Sequence, residues 1–291
     1  MYIVFSEKCL EYWMPGHPES PDRIYRAYKL LKDAGFPFLE AEPCGEEDLL
    51  LAHSKEFVEM IRSELFYDLD TPSLPNIYEY ARLAAGSAIK SMEIALEGEK
   101  AFSLMRPPGH HVGINGRALG APTLGFCYFN NIAIACKKAL NTKSVNRVAI
   151  LDVDCHHGNG TQEIFFGDSR VLFVSLHRYG GVYPGTGEKS AGNCLNYPFT
   201  RPVGDEKYLE VLGSALNEVR RFNPDLVAVS AGFDTYMHDP VCSLGLSLES
   251  YRVMGQMIAS LNKRVFAVLE GGYGEDLPKC ILNFLRGLGE G

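Results

Sequence analysis

The sequence predicts one doubly wound α/β domain on a mostly parallel sheet, and three observations carry that expectation. Short apolar runs at Tyr2 to Phe5, Ala101 to Leu104, Val148 to Leu151, Val171 to Leu176, Leu226 to Ser230 and Val265 to Leu269 alternate with stretches of helical length and period. Such alternation implies right-handed crossovers and therefore parallel strands. Unusual polar clusters follow directly on these runs, as expected where parallel strands deliver their C-terminal ends to one ligand-binding edge. No linker, repeat or low-complexity segment divides residues 1–291, so a single domain is expected.

Taken in order, the first strand leads through Gly16-His17-Pro18-Glu19-Ser20-Pro21-Asp22-Arg23 into a helix, with Ser20 at its N-cap, Pro21 in its first position and Gly35 at its end. Ile24, Ala27, Tyr28 and Leu31 make its apolar face, and spacing alone reads His17 and Arg23 as capping and surface residues. Glu46 to Leu65 is largely helical with a break near His53-Ser54, and Tyr67 to Pro75 is an acidic, proline-rich ordered loop. A long helix from about Asn76 to Leu96 packs through Ala81, Ala84, Ala85, Ala88 and Ala95. After the second apolar run, Arg106-Pro107-Pro108-Gly109 forms a rigid turn ending in His110-His111, and Gly125-Phe126-Cys127-Tyr128-Phe129-Asn130-Asn131 opens a helix to about Leu140.

The next apolar run ends in Asp152-Val153-Asp154-Cys155-His156-His157-Gly158-Asn159-Gly160, followed by a short helix from Gly160 to Phe166. The strand from Val171 then ends at His177. The loop Tyr179 to Gly187 needs its glycines for tight turns, but lacks the GxxxxGK[ST] pattern of a phosphate cradle. Helices from Asp205 to Arg221 and from Leu248 to Asn262 flank the strand that delivers Asp234. The last strand ends in Glu270-Gly271-Gly272-Tyr273 before a C-terminal helix.

A chain with 46% hydrophobic and 22% charged residues is not expected to be disordered. Its net charge of -8 gives no basic footprint, which argues against direct nucleic-acid binding. Eight cysteines without a CxxC pair read as reduced, mostly buried thiols. With no secretory signal pattern and no apolar stretch of bilayer length, a soluble cytoplasmic protein is expected.

Two carboxylates and two imidazoles within Asp152 to His157 form half a metal site. If the chain stays extended there, period two turns Asp152, Asp154 and His156 to one face. A carboxylate oxygen and an imidazole nitrogen suit Zn²⁺, and a catalytic zinc needs a third protein ligand, for which Asp234 is the best candidate. Such a metal polarises a carbonyl and makes water nucleophilic, the chemistry of amide hydrolysis. His110 and His111 offer the acid and base, Tyr273 a donor to a developing oxyanion, and Phe126 with Tyr183 the walls of a narrow apolar channel.

The stretches GHPESPDR, RPPGHHVG, GFCYFNN, LDVDCHHGNGTQ, VSLH, YPGTG, SAGFD and EGGYG together resemble the zinc-dependent histone deacetylase superfamily, which includes acetylpolyamine amidohydrolases and bacterial or archaeal deacetylase-like proteins. The resemblance runs from residue 16 to residue 274 and implies an arginase/deacetylase fold with a central eight-stranded sheet. It implies Asp154, His156 and Asp234 as ligands of Zn²⁺ or Fe²⁺, His110 and His111 as the acid/base pair, and Asp152 as the partner of His110. Tyr273 is implied as the carbonyl-polarising tyrosine, Asp70 as a rim carboxylate for substrate amides, and Gly125, Phe126 and Tyr183 as the substrate channel. A structural K⁺ or Na⁺ is implied at Asp152, Asp154, His156, Ser175 and Leu176, and a second one near Phe165, Asp168 and Val171.

Asn159 stands where class I members of that superfamily have Asp, which is similar to the class II and acetylpolyamine branch and leaves His111 less basic. No long insertion shapes the channel as in dimeric acetylpolyamine enzymes, and Val241 follows Asp239-Pro240 where a polyamine-selective gatekeeper places an acid. The expected activity is removal of an acetyl or short acyl group from a primary-amine nitrogen, with N-acetyl-lysine favoured over an acetylated polyamine. An acyl-lysine binding protein with little turnover and, further off, a two-metal ureohydrolase are the rivals. Oligomeric state stays open.

Overall fold

The computed structural model describes residues 1–290. In chain order the elements are β1 (Tyr2–Phe5), α1 (Pro21–Asp33), β2 (Phe38–Glu40), α2 (Glu46–Leu49), α3 (Lys55–Ser63), α4 (Ile77–Leu96), β3 (Ala101–Ser103), β4 (Val112–Gly113), β5 (Gly116–Arg117) and α5 (Asn131–Leu140). They continue with β6 (Val148–Asp152), α6 (Asn159–Phe165), β7 (Val171–Arg178), β8 (Cys194–Phe199), α7 (Gly204–Phe222), β9 (Leu226–Ala231), α8 (Leu248–Ala259), β10 (Arg264–Leu269) and α9 (Leu277–Gly289).

Eight strands form one sheet in the order β2-β1-β3-β10-β9-β6-β7-β8, and each neighbouring pair is parallel. The expected eight-stranded sheet is therefore present, without an antiparallel member. β4 and β5 make a separate antiparallel hairpin just after the tandem histidines, which the sequence did not signal.

Strand position explains which strands were legible. β6 and β9 lie in the middle, are buried along their whole length, and read as continuous apolar runs. β2 and β8 are the two edges, only partly buried, and neither was foreseen. β8 even contains Pro198, which an edge strand tolerates because one side of its backbone needs no ladder bond.

Two cores sandwich the sheet. Ala149, Leu151, Val227, Val229, Ala267 and Leu269 pack on one face with Ile24 and Leu31 of α1, Leu212 of α7, Met254 of α8 and Phe284 of α9. Val148, Ile150, Ala228 and Phe266 pack on the other with Ala81, Ala85 and Ala88 of α4 and Ile132 of α5. At the C-terminal edge the second face turns polar: Asp152 is in register with Ser175 on β7 and Ser230 on β9. The apolar floor ends at that row, and the chemistry begins. No helix among the described residues is long and apolar enough to cross a membrane.

Candidate active site

The alternation of β6 outlasts its last paired residue. Val153 and Cys155 stay in the core with Ala149 and Leu151, so Asp152, Asp154 and His156 turn together to the other side. β9 ends one strand over and its loop brings Asp234 to the same point. One donor atom from each of Asp154, His156 and Asp234 lies within 4.8 Å of the others. His156 Nδ1 stands 2.8 Å from Asp234 Oδ2 and 3.2 Å from Asp154 Oδ1.

Backbone donors fix the carboxylates from behind: Gly271 N–H donates to Asp154 Oδ2 at 2.8 Å, and Cys155 N–H to Asp234 Oδ1 at 2.8 Å. Close approach requires the glycines, since a Cβ at Gly232 or Gly271 would collide with the Asp154 carboxylate. Asp234 Oδ2 is buried and, although His156 Nδ1 lies 2.8 Å away, makes no well-aligned hydrogen bond, a costly state for a carboxylate oxygen unless a cation faces it. Burial opposes a charge on His156, yet Asp234 and Asp154 hold its imidazole well above the ordinary range. Burial and then Asp154 push the Asp234 carboxyl up. Two carboxylate oxygens and one imidazole nitrogen gathered where positive charge is favoured fit a divalent cation of the zinc type.

The tandem histidines arrive on the turn after β3. Glu270, the first residue past β10, pins that turn: its Oε2 accepts Gly109 N–H at 2.7 Å and His110 N–H at 3.3 Å, and its Oε1 the Ser230 hydroxyl at 3.0 Å. Burial raises the Glu270 carboxyl to about 7, against the pull of His110. Sequence reasoning gave Glu270 no role, although a carboxylate between a wholly apolar run and two glycines was a usable signal.

The two imidazole rings lie 4.0 Å apart between centroids. His110 Nδ1 is 2.9 Å from Asp152 Oδ2, and His111 Nδ1 is 2.8 Å from Asn159 Oδ1. Asn159 Nδ2 donates to the Ala118 carbonyl at 2.9 Å, so its oxygen faces His111, whose Nδ1 carries the hydrogen and whose Nε2 remains an acceptor. Burial disfavours a charge on His110, but Asp152, Asp154 and Glu270 outweigh it and push the ring up to about 10. His111 is driven well down by burial and by its neighbours His110 and His156. A neutral base thus adjoins a cationic partner.

Tyr273 follows Gly271 and Gly272. Asp239 Oδ2 accepts its backbone N–H at 2.6 Å and that of Gly274 at 3.2 Å, while Oδ1 accepts Val241 N–H at 2.9 Å and Cys242 N–H at 3.3 Å. Burial holds the phenol well above its ordinary range, which keeps it a neutral donor. The Arg23 guanidinium lies 4.6 Å from the ring centroid and donates to the carbonyls of Gly272 and Glu270.

Arg23 and His17 are therefore not ordinary surface residues. Arg23 is 2% exposed and pairs with Glu19 at 2.9 Å, while Arg106 grips the same carboxylate through Nε and Nη2, both at 2.7 Å. Burial works against the Glu19 charge, but Arg106 and Arg23 together hold its carboxyl below the usual range. His17 Nε2–H donates to the Asp70 carbonyl at 2.9 Å, and its ring meets Phe126 edge-on at 4.6 Å. Partners more than fifty residues away along the chain explain why helix-capping logic misread both.

Asp70, Phe126, Tyr183 and Tyr273 are half-buried, whereas Asp154, His110, His111 and Asp234 beneath them are buried. Asp70 organises the rim from inside, accepting from Thr71 at 2.9 Å, Thr123 at 2.6 Å and Gly125 N–H at 3.1 Å. Phe126 takes a φ of +67°, which a bulky residue adopts only where its surroundings fix it; Thr71 Oγ1 accepts its N–H at 2.8 Å. The Phe126 ring stands edge-on to Tyr273 at 5.8 Å, and Tyr183 edge-on to His111 at 4.8 Å. Gly125 leaves space for both His111 and Tyr183, which a Cβ there would strike.

His177 does not join this cluster. It lies inside β7, bonded to Ser175 Oγ at 2.9 Å and the Gly187 carbonyl at 3.0 Å, with its ring 4.6 Å from that of His157. Burial lowers His177 to about 3 and His157 to about 4, so both serve as neutral structural rings. Ser175 and Leu176 lie on β7 beside the end of β6, with Asp152 opposite Ser175. The carbonyls of Phe165, Asp168 and Val171 do converge, but on Asn193 Nδ2, at 2.8, 3.2 and 2.9 Å. The three residues expected near a second cation thus come together around this one amide nitrogen.

The histone deacetylase domain family matches residues 17–288. A probable deacetylase of Archaeoglobus fulgidus is 39% identical across 98% of this chain and 85% of its own length. A histone deacetylase-like amidohydrolase of Pseudomonas aeruginosa is 36% identical across 94% and 77%, respectively. The crystal structure of the HDA15 HD domain superposes with a TM-score of 0.88 at 32% identity, covering 99% of this chain and 91% of the other.

Proposed function

The chain belongs to the histone deacetylase family, and from that membership we propose that it is a zinc-dependent amidohydrolase that removes acetyl or other short acyl groups from N-acyl-lysine side chains. The observation that carries this reading is the buried trio Asp154, His156 and Asp234, with a carboxylate oxygen that makes no well-aligned hydrogen bond, beside two histidines of opposite charge preference. Zn²⁺, or Fe²⁺ in its place, would supply Lewis acidity toward the acyl carbonyl and toward water there.

The chain's own groups do the rest. His111 Nε2, free to accept because Nδ1–H is bonded to Asn159, takes the proton of the attacking water. Tyr273 donates its phenolic hydrogen to the developing oxyanion. His110 or His111 then protonates the departing amine, with Asp152 balancing the charge of His110. Phe126 and Tyr183 hold the acyl-bearing side chain and exclude water, and Asp70 orders the rim that meets the substrate backbone. A structural K⁺ or Na⁺ would be held among Asp152, Asp154, His156, Ser175 and Leu176. Eight free cysteines, seven of them buried, support a reducing compartment, the cytoplasm.

The test compares an acetyl-lysine peptide with an N-acetylated polyamine, before and after Zn²⁺ loading. We expect metal-dependent turnover with kcat/KM favouring the peptide. A preference for the polyamine would reassign the substrate, and a stably loaded protein that turns over neither would indicate an acyl-lysine binding role.

A further inference from the structure

Cys155 and Cys242 are 87 residues apart in sequence, yet their sulfurs lie 2.7 Å from each other. Cys155 is fully buried on the core side of the loop that carries Asp154 and His156. Cys242 lies in the segment after Asp234 and is the one cysteine of the eight that is not buried. Both backbones are held: Cys155 N–H by Asp234, its carbonyl by Arg178 N–H at 2.8 Å, and Cys242 N–H by Asp239. A disulfide at about 2.05 Å would need only a short approach of two sulfurs already aimed at one another. Neither thiol has a part in the hydrolysis.

We propose that Cys155 and Cys242 form an oxidation site at which a hydroperoxide makes an intrachain disulfide, coupling oxidant exposure to the metal-ligand loop. Cys242, the more exposed of the two thiols, attacks the peroxide and passes its proton to the departing oxygen; the O–O bond breaks, one oxygen stays on Cys242 as a sulfenic acid, and the other leaves as water or an alcohol. Cys155 then attacks the Cys242 sulfur, forming the S–S bond and releasing the sulfenic oxygen as water. The two thiols lose two electrons and two protons, and the peroxide accepts both. The new bond sits one residue from each of Asp154 and His156 and ties them to the segment that Asp239 fastens beneath Tyr273.

The experiment treats the Zn²⁺-loaded protein with stoichiometric hydrogen peroxide, then counts thiols after denaturation and maps cross-linked peptides by mass spectrometry. Two of the eight thiols should disappear into a peptide joining Cys155 to Cys242 and return with dithiothreitol. Cys242→Ser should keep its basal turnover and form no cross-link, and Cys155→Ala should stop at a Cys242 sulfenic acid trapped by dimedone. A full thiol count, a different cross-linked pair, or direct over-oxidation of Cys242 in the wild type overturns the site. Turnover of the acetyl-lysine peptide should fall in the oxidised wild type and recover on reduction, while Cys242→Ser is spared; a cross-link without this loss overturns the coupling. That last arm rests on the deacetylase reading, whereas the thiol count and peptide map do not, so the two can fail separately.

Discussion

His111 Nδ1 lies 2.8 Å from Asn159 Oδ1, and the far end of that amide is committed to the Ala118 carbonyl. The pairing orients the ring without offering a negative charge to stabilise its protonated form. His110, with Asp152 at the equivalent place, has that charge. Against burial, three carboxylates raise His110, whereas burial and two neighbouring imidazoles lower His111, and the neutral asparagine does not offset them.

Asn159→Asp should reverse part of that separation. A carboxylate beside His111 raises an imidazole pKa by about 1–3 units. Because the base must be deprotonated to work, the acidic limb of the kcat/KM profile should move to higher pH, and activity at low pH should drop. An unmoved limb would remove His111 as the base.

Tyr273→Phe should lower kcat by about 10²–10³-fold, the usual cost of losing one oxyanion donor. The metal content should not change, because no hydrogen bond of the trio involves the phenol. Metal analysis of the purified variant beside its kinetics would distinguish this role from a disturbed metal site.

Chelation should abolish turnover and one equivalent of Zn²⁺ should restore it, with a rise in Tm as the bound state is stabilised. Asp234→Asn removes the charge of a buried carboxylate and should bind Zn²⁺ far more weakly in a calorimetric titration. Equal affinity in the variant would place the metal elsewhere.

Glu19→Gln leaves Arg106 and Arg23 without their shared carboxylate and should cost about 3–5 kcal/mol of stability. The Glu19 carboxyl is depressed in the folded state, so its contribution is complete above the unfolded pKa of about 4.3 and fades as pH falls through the folded value. Urea midpoints of wild type and variant should therefore converge in acid; a constant gap would assign the loss to packing.

Asp239→Asn should loosen Tyr273, since one carboxylate holds both backbone N–H groups of that turn. We expect a fall in kcat greater than any change in KM. Combined with Tyr273→Phe it should add little, because the positioning residue matters only while the phenol is present. Additive losses would show that Asp239 acts elsewhere.

The site was legible where chemistry and strand ends coincide. Asp154, His156 and Asp234 stand out because charged and imidazole side chains directly after buried apolar runs have few structural uses, and the structure gathers them. Arg23, Glu270 and Asp239 were not legible as site-builders, because each acts through a partner brought near only by the sheet order. His177 shows the converse: the right residue at the right strand, turned into the β7 side of the fold to bond Ser175 and Gly187. The edge strands β2 and β8 were missed because half-exposed strands lack a continuous apolar run.

The strand made last, β10, occupies the middle of the sheet between β3 and β9. In a growing polypeptide β3 and β9, which flank that slot, therefore each lack one sheet neighbour until β10 has emerged. Arg23 is synthesised near the start and meets the Gly272 and Glu270 carbonyls only at the end. Tyr273 follows β10, so a chain cut before that strand lacks both the closure of the sheet and the tyrosine beside Asp154, His156 and Asp234.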